Sequence, residues 1–186
     1  MPNVWIGRLK GHGDMHRCTG LDTFKNVMEH SATHPINHFF CGGKEGIADQ
    51  LQKASAQKLG NSNVVGTYSP PFRNMTDQEF AALGAMINAS KANVVWIGIS
   101  TPKQEIFAAN LAKHINVNYI ITVGAVFDFF TGNLKRAPTW IQKIGLEWLY
   151  RLLKEPRRLF KRYAEIVPLF IWLNIKEYAR YLFFKK

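Results

Sequence analysis

Cysteine is scarce in this chain. Cys18 and Cys41 are the only two, and they form no C-x-x-C pair. A disulfide scaffold, a zinc ribbon and a dithiol redox centre are thereby excluded. The opening run MPNVWIGRLKGHGDMHRCTG lacks the apolar core of a secretory signal, which points to a reducing compartment. Acidic residues are also few, 13 Asp and Glu against 24 Lys and Arg, for a net charge of +11. Long hydrophobic runs are missing. The longest spans residues 166–175 and is interrupted by Pro168 and Asn174. Its length is about half of the roughly 20 residues a bilayer requires, so the chain is not expected to span one. There is no internal repeat, no low-complexity tract, no P-loop, no G-x-S-x-G and no H-E-x-x-H. The apolar fraction of 47% is ordinary for a globular protein and excludes wholesale disorder.

What is present is unevenly placed. Residues 134–186 hold thirteen Lys and Arg against four Asp and Glu, nine of the eleven net positive charges. Trp140, Trp148, Tyr150, Phe160, Tyr163, Phe170 and Trp172 are interleaved with them. A cationic and aromatic segment on a nearly neutral body suits a partner that is anionic and apolar together. A lipid diphosphate in a membrane fits that description, and nucleic acid fits it less well. No RRM, KH or helix-turn-helix signature accompanies the basic run, so nucleic acid is not the expected partner.

The body alternates short apolar runs with helical periodicity. Strands are expected at His38–Cys41, Asn63–Thr67, Val94–Ile99 and Tyr119–Val123, the last of them buried. Helices are expected at Lys44–Leu59, Asp77–Ser90 and Lys103–His114. Thr76 and Glu79 have the spacing of a capping box. This order predicts an α/β fold with a parallel sheet and helices on both faces. A boundary near residues 132–138 separates an α/β body, residues 1–133, from a basic helical appendage, residues 134–186. Pro156 and Pro168 are expected to break the appendage into separate helices.

Parallel sheets bind ligands outside the carboxyl ends of their strands, so the strand exits are where function is sought. Gly42-Gly43-Lys44 suits either a phosphate or a tight turn. Thr67-Tyr68-Ser69-Pro70-Pro71 offers a hydroxyl, a phenol and a stiff diproline as one wall of a base or sugar pocket, or else a plain turn. Lys103 and Gln104 open a helix after a buried strand. Gln104 can both donate and accept, which suits sugar hydroxyls or a uracil edge. Asp128, next to Phe129 and Phe130, is either paired with Lys135 or Arg136 or used in the pocket. Arg17, by pattern alone, is a surface residue. His30, His34 and His38 share a four-residue spacing, but Pro35 interrupts it and no metal site is expected. Arg151, Arg157, Arg158 and Arg162 lie within twelve residues. Arg157 and Arg158 follow Pro156 in a helix's first turn, where guanidinium forks and backbone amides together favour phosphate. The alternative is a solvated basic face.

The run Arg136-Ala137-Pro138, Gly145-Leu146-Glu147-Trp148-Leu149-Tyr150-Arg151-Leu152, Glu155-Pro156-Arg157-Arg158 and Arg162-Tyr163 resembles the WecG/TagA/CpsF glycosyltransferase family. Gly66–Phe72, Ile87–Ser90, Pro102–Glu105 and Gly124–Gly132 are similar to it in the same order. The resemblance implies a Rossmann-like domain with a membrane-docking appendage, peripheral on the cytoplasmic face of the inner membrane. It also implies transfer of an N-acetylmannosamine-type or related sugar from a UDP donor to an undecaprenyl-diphosphate-linked acceptor, with inversion and with neither metal nor other cofactor. Self-association is left open. By the same resemblance, Gln104 contacts donor or acceptor, and Arg17, in an R-x-x-G-x-D element with Gly20 and Asp22, lines the cleft. Arg151, Arg158 and Arg162 bind diphosphate in place of a divalent cation. In the family an Asp-Gly pair, bearing the general base, stands directly before the position of Met1. The expectation is therefore a shortened chain, lacking the family's first strands and helices, with weak or no turnover. A catalytically inactive peripheral membrane protein and a nucleic-acid-binding module are the competing readings.

Overall fold

A computed structural model of the chain describes residues 2–184, apart from the side chains of Arg158 and residues 182–184. The chain divides into two compact units, one of residues 18–135 and one combining residues 1–17 with 136–186.

The first unit is built on strands β1 (His38–Gly42), β2 (Val64–Tyr68), β3 (Val94–Gly98) and β4 (Tyr119–Thr122). All pair in parallel, in the order β2-β1-β3-β4. Every residue of β1 and β3 is buried, as central strands covered on both faces require. The two-residue period splits their side chains cleanly. Phe40, Val94 and Trp96 face a cluster with Phe24, Met28, Leu51 and Phe127. Phe39, Cys41, Val95 and Ile97 face another with Phe80, Leu83, Ile87, Phe107 and Leu111. The first cluster is closed by α2 (Gly20–Ser31), α3 (Ile47–Leu59) and α6 (Val126–Thr131). The second is closed by α4 (Asp77–Ala89) and α5 (Lys103–Leu111). The α/β class, with an all-parallel sheet between two helical layers, is as the alternation predicts.

Two helices of this unit begin with reciprocal caps. Thr76 accepts from the Glu79 amide while Glu79 accepts from the Thr76 amide, as the spacing predicts. Thr19 and Asp22 do the same for α2. Asp22 therefore has a structural task in the R-x-x-G-x-D element. Glu79 is also gripped by Arg73, and this hydrogen bond, ahead of the one from Thr76, holds its carboxyl down at about 2.

A polar chain crosses the first core. Trp96 Nε1 donates to His38 Nδ1 at 3.1 Å, so His38 Nε2 carries the proton and donates to Ser31 Oγ at 2.7 Å. Ser31 Oγ donates to the Val27 carbonyl and accepts from Asn61 Nδ2. Burial lowers the His38 pKa to about 4, so this imidazole is neutral at physiological pH. His30 and His34 instead stack on each other, with ring centroids 5.4 Å apart.

The second unit contains α1 (Pro2–Leu9), α7 (Thr139–Lys143), α8 (Glu147–Lys154) and α9 (Pro156–Phe184). Pro156 does open a helix, but Pro168 does not end one, because α9 runs through it. A proline removes one hydrogen bond and costs about 3 kcal/mol, while each neighbouring residue still propagates an established helix. Strand β4 is not buried: it is the edge of the sheet, and Tyr119 is two-thirds exposed. Asp128 is not on a strand exit but inside α6, four residues after the positive-φ Gly124. Among the described residues no helix is long and apolar enough to cross a membrane.

Candidate functional residues of the two units

Gly42 ends β1 level with Gly98 of β3. A Cβ on Gly42 would lie 2.6 Å from the Gly98 carbonyl oxygen, so only glycine lets the two central strands leave the sheet this close together. Gly43 has φ +74° and donates its amide to the Gly98 carbonyl at 2.9 Å. The turn reading of Gly42-Gly43 thus has a full physical account.

Beside this turn is a groove of about 400 Å³ between the start of α3 and the β2 exit. Thr67, Tyr68, Ser69 and Pro70 line it together, with Pro71 and Phe72 continuing the wall. Glu45, Gly46 and Asp49 form the opposite side. Thr67 Oγ1 donates to Asp49 Oδ1, and Ser69 Oγ donates to the Lys44 carbonyl at 3.2 Å, which pins the β2 loop to the α3 loop. Burial, more than the neighbouring Cys41 and Glu79, raises the Tyr68 pKa, so the phenol stays protonated and able to donate. Sequence reasoning missed Glu45 and Asp49. Their signal was the position of two carboxylates just after the Gly-Gly turn, at a helix start. They make the groove acidic, which disfavours phosphate there and favours hydroxyl-rich, uncharged groups.

Gln104 lies elsewhere on the same edge and is only 6% exposed. Its Oε1 accepts from the Gly124 amide at 2.9 Å, and its Nε2 donates to Thr101 Oγ1 and Glu105 Oε1, both at 2.9 Å. The carboxamide thereby joins the exits of β3 and β4. Lys103, next to it, is exposed at the start of α5. Asp128 is half-buried in the first turn of α6, and its carbonyl accepts from the Leu134 amide.

The remaining residues belong to the helical unit. Arg17 is a fork: Nη1 donates to Gln142 Oε1 at 2.9 Å and Nη2 pairs with Glu147. Arg136 Nε reaches the other Glu147 oxygen at 3.4 Å. Arg151 stands one turn after Glu147 on α8 and is half-buried. Arg157, in the first turn of α9, and Arg162, one turn on, are exposed; the side chain of Arg158 lies outside the described residues. Trp148 packs edge-on against Tyr163, with centroids 5.9 Å apart, and joins α8 to α9. Further along α9, Ile166, Leu169, Ile171, Trp172, Leu173 and Ile175 are all about half exposed or more. Lys176 sits 4.9 Å from the Trp172 ring.

An open parallel sheet with its polar groups gathered at the strand exits defines an α/β protein of the ligand-binding class. Within that class, the model of the glycosyl transferase WecG/TagA/CpsF family matches residues 1–182 of 186. The chain belongs to this family of glycosyltransferases of cell-envelope polysaccharide synthesis.

Proposed function

We propose that the protein transfers an N-acetylmannosamine-type hexosyl group from a UDP donor to a polyprenyl-diphosphate-linked acceptor at the inner face of the cell membrane. The observation that carries this reading is the pairing of family membership with a helical unit that is cationic and greasy at once. The acceptor hydroxyl oxygen attacks the anomeric carbon as the bond to the UDP β-phosphate oxygen breaks. The electron pair leaves with UDP, the hydroxyl proton passes to a base, and a single displacement inverts the centre. The developing charge is on the diphosphate, and Arg151, Arg157, Arg158 and Arg162 meet it with guanidinium forks, the role a divalent cation plays in other transferases. The uncharged, hydroxyl-rich part of a substrate suits the acidic groove at Thr67–Pro70. The exposed apolar residues of α9 enter the lipid interface, with Lys161, Lys176 and Arg180 facing anionic headgroups.

Two measurements test this. UDP release is followed with a panel of UDP-sugars and a short-chain polyprenyl-diphosphate-GlcNAc acceptor. UDP affinity is measured directly, because binding does not depend on the group that deprotonates the acceptor. Replacing Arg157 and Arg158 together by Ala is expected to weaken UDP binding about tenfold or more, the loss of two charge-assisted contacts, with an unchanged melting temperature. Unaltered affinity would remove the clamp. Steeply salt-dependent binding of duplex DNA, without affinity for UDP or anionic vesicles, would replace the transferase reading with a nucleic-acid one.

A further inference from the structure

We infer that Arg17 is a positioning residue: with Glu147 and Gln142 it sets the angle of α8 and so aims Arg151, and its own guanidinium is not held for substrate. The inference rests on the proposed diphosphate role of Arg151. Arg17 reaches across 125 and 130 positions of sequence to bind two successive helices with one planar group. Nη1 holds Gln142 on α7 and Nη2 holds Glu147 in the first turn of α8. Gln142 is fixed from its other end, where Nε2 donates to the Ala137 carbonyl at 2.7 Å. Glu147 is likewise held twice, since its second oxygen faces Arg136 Nε.

Between the two gripped helices lies Gly145, with φ +73°. Glycine permits that left-handed turn but does little to stiffen it. Backbone bonds close the turn, from the Gly145 amide to the Gln142 carbonyl at 3.2 Å and from the Leu146 amide to the Ile141 carbonyl at 3.1 Å, and the Arg17 fork is a side-chain contact that adds to them by gripping the helices on both sides. Glu147 and Arg151 are four residues apart on α8, hence on one face. A rotation of α8 about the turn carries Arg151 with it. All three ion-paired side chains, Arg17, Arg136 and Glu147, are only about a quarter exposed, so water screens the cluster less than it would a surface pair. A lysine could supply the charge but not the planar fork.

The sign of one substitution separates positioning from direct contact. Were Arg17 a substrate ligand restrained by Glu147, Glu147→Gln would release it and tighten UDP binding. As a positioning group it loses its hold on α8, and the same variant is expected to weaken UDP binding about tenfold, the scale of coupling between contacting residues. Arg17→Lys is expected to resemble Arg17→Ala. In an Arg151→Ala background, Arg17→Ala is expected to cause no further loss. Hydrogen exchange on the full chain without ligand gives an independent readout: in Glu147→Gln the amides of residues 150–154 are expected to exchange faster, with those of β1 and β3 unchanged. Tighter or unaltered UDP binding in Glu147→Gln, additive losses for Arg17 and Arg151, or unchanged exchange in α8 would each overturn the inference. If Arg151→Ala by itself leaves UDP affinity intact, the diphosphate clamp fails first, and the aiming role falls with it.

Discussion

The two units of this molecule are made of different chemistry. Residues 18–135 carry nine Lys and Arg against eight Asp and Glu, while residues 1–17 and 136–186 carry fifteen against five. Burial divides the opposite way. Nearly all buried hydrophobic side chains belong to the α/β unit; in the helical unit, among the described residues, Val4, Ala137 and Leu159 are the buried hydrophobic ones. One unit is held by what it hides, and the other is defined by what it leaves on its surface. Substitutions should therefore register in stability on one side and in binding on the other.

Trp96→Ala is the most severe way to probe that contrast. It empties the centre of the first core and strips His38 of its donor, and is expected to cost about 3–5 kcal/mol by denaturant unfolding. Acid comes next. The unfolded imidazole titrates near 6.5, whereas His38 in the fold titrates near 4. Its contribution is fully present above pH 6.5 and falls away as the pH drops towards 4, by about 3 kcal/mol in all. Urea midpoints at pH 7 and pH 4.5 should record most of that loss, and a flat profile would mean that His38 is accessible to protons. Thr76→Ala removes the cap of α4 and is expected to lower stability by about 1 kcal/mol. Trp172→Ala should change unfolding by less than about 0.5 kcal/mol yet weaken sedimentation with anionic vesicles. A large stability loss there would erase the distinction between the units.

The α/β unit was the more legible in sequence because its signals are local. A five-residue apolar run, a Thr-x-x-Glu cap and a Gly-Gly turn each act within one element, and β1, β3 and α4 follow from them. The cap of α2 has the same local form, Thr19 followed three residues on by Asp22, with aspartate in place of the usual glutamate. Strand β4 looks buried by composition, but its position at the sheet edge is a property of strand order, which no single run encodes. At the site, the Thr67–Pro70 wall was readable from its turn chemistry. The carboxylates opposite it, Glu45 before α3 and Asp49 in its first turn, are visible after the Gly-Gly turn, but that they face this wall follows from the pairing of β1 with β2 and not from their own spacing. Gln104 was singled out for its ability to donate and accept, and both capacities are used, on Gly124 and on Thr101 and Glu105. The partners of Arg17 lie more than a hundred residues away, beyond any spacing rule.

The helical unit is discontinuous in sequence, and this matters during synthesis. Residues 1–17 are made before the α/β unit, but their companions from 136 onward come only after all of it. At roughly 5–20 residues per second, residues 136–186 take on the order of several seconds to be made. Through that interval the sheet can close while the Arg17 guanidinium waits for Glu147. The greasy surface of α9 is then made after the α/β unit, whose sheet needs none of it to pair its strands.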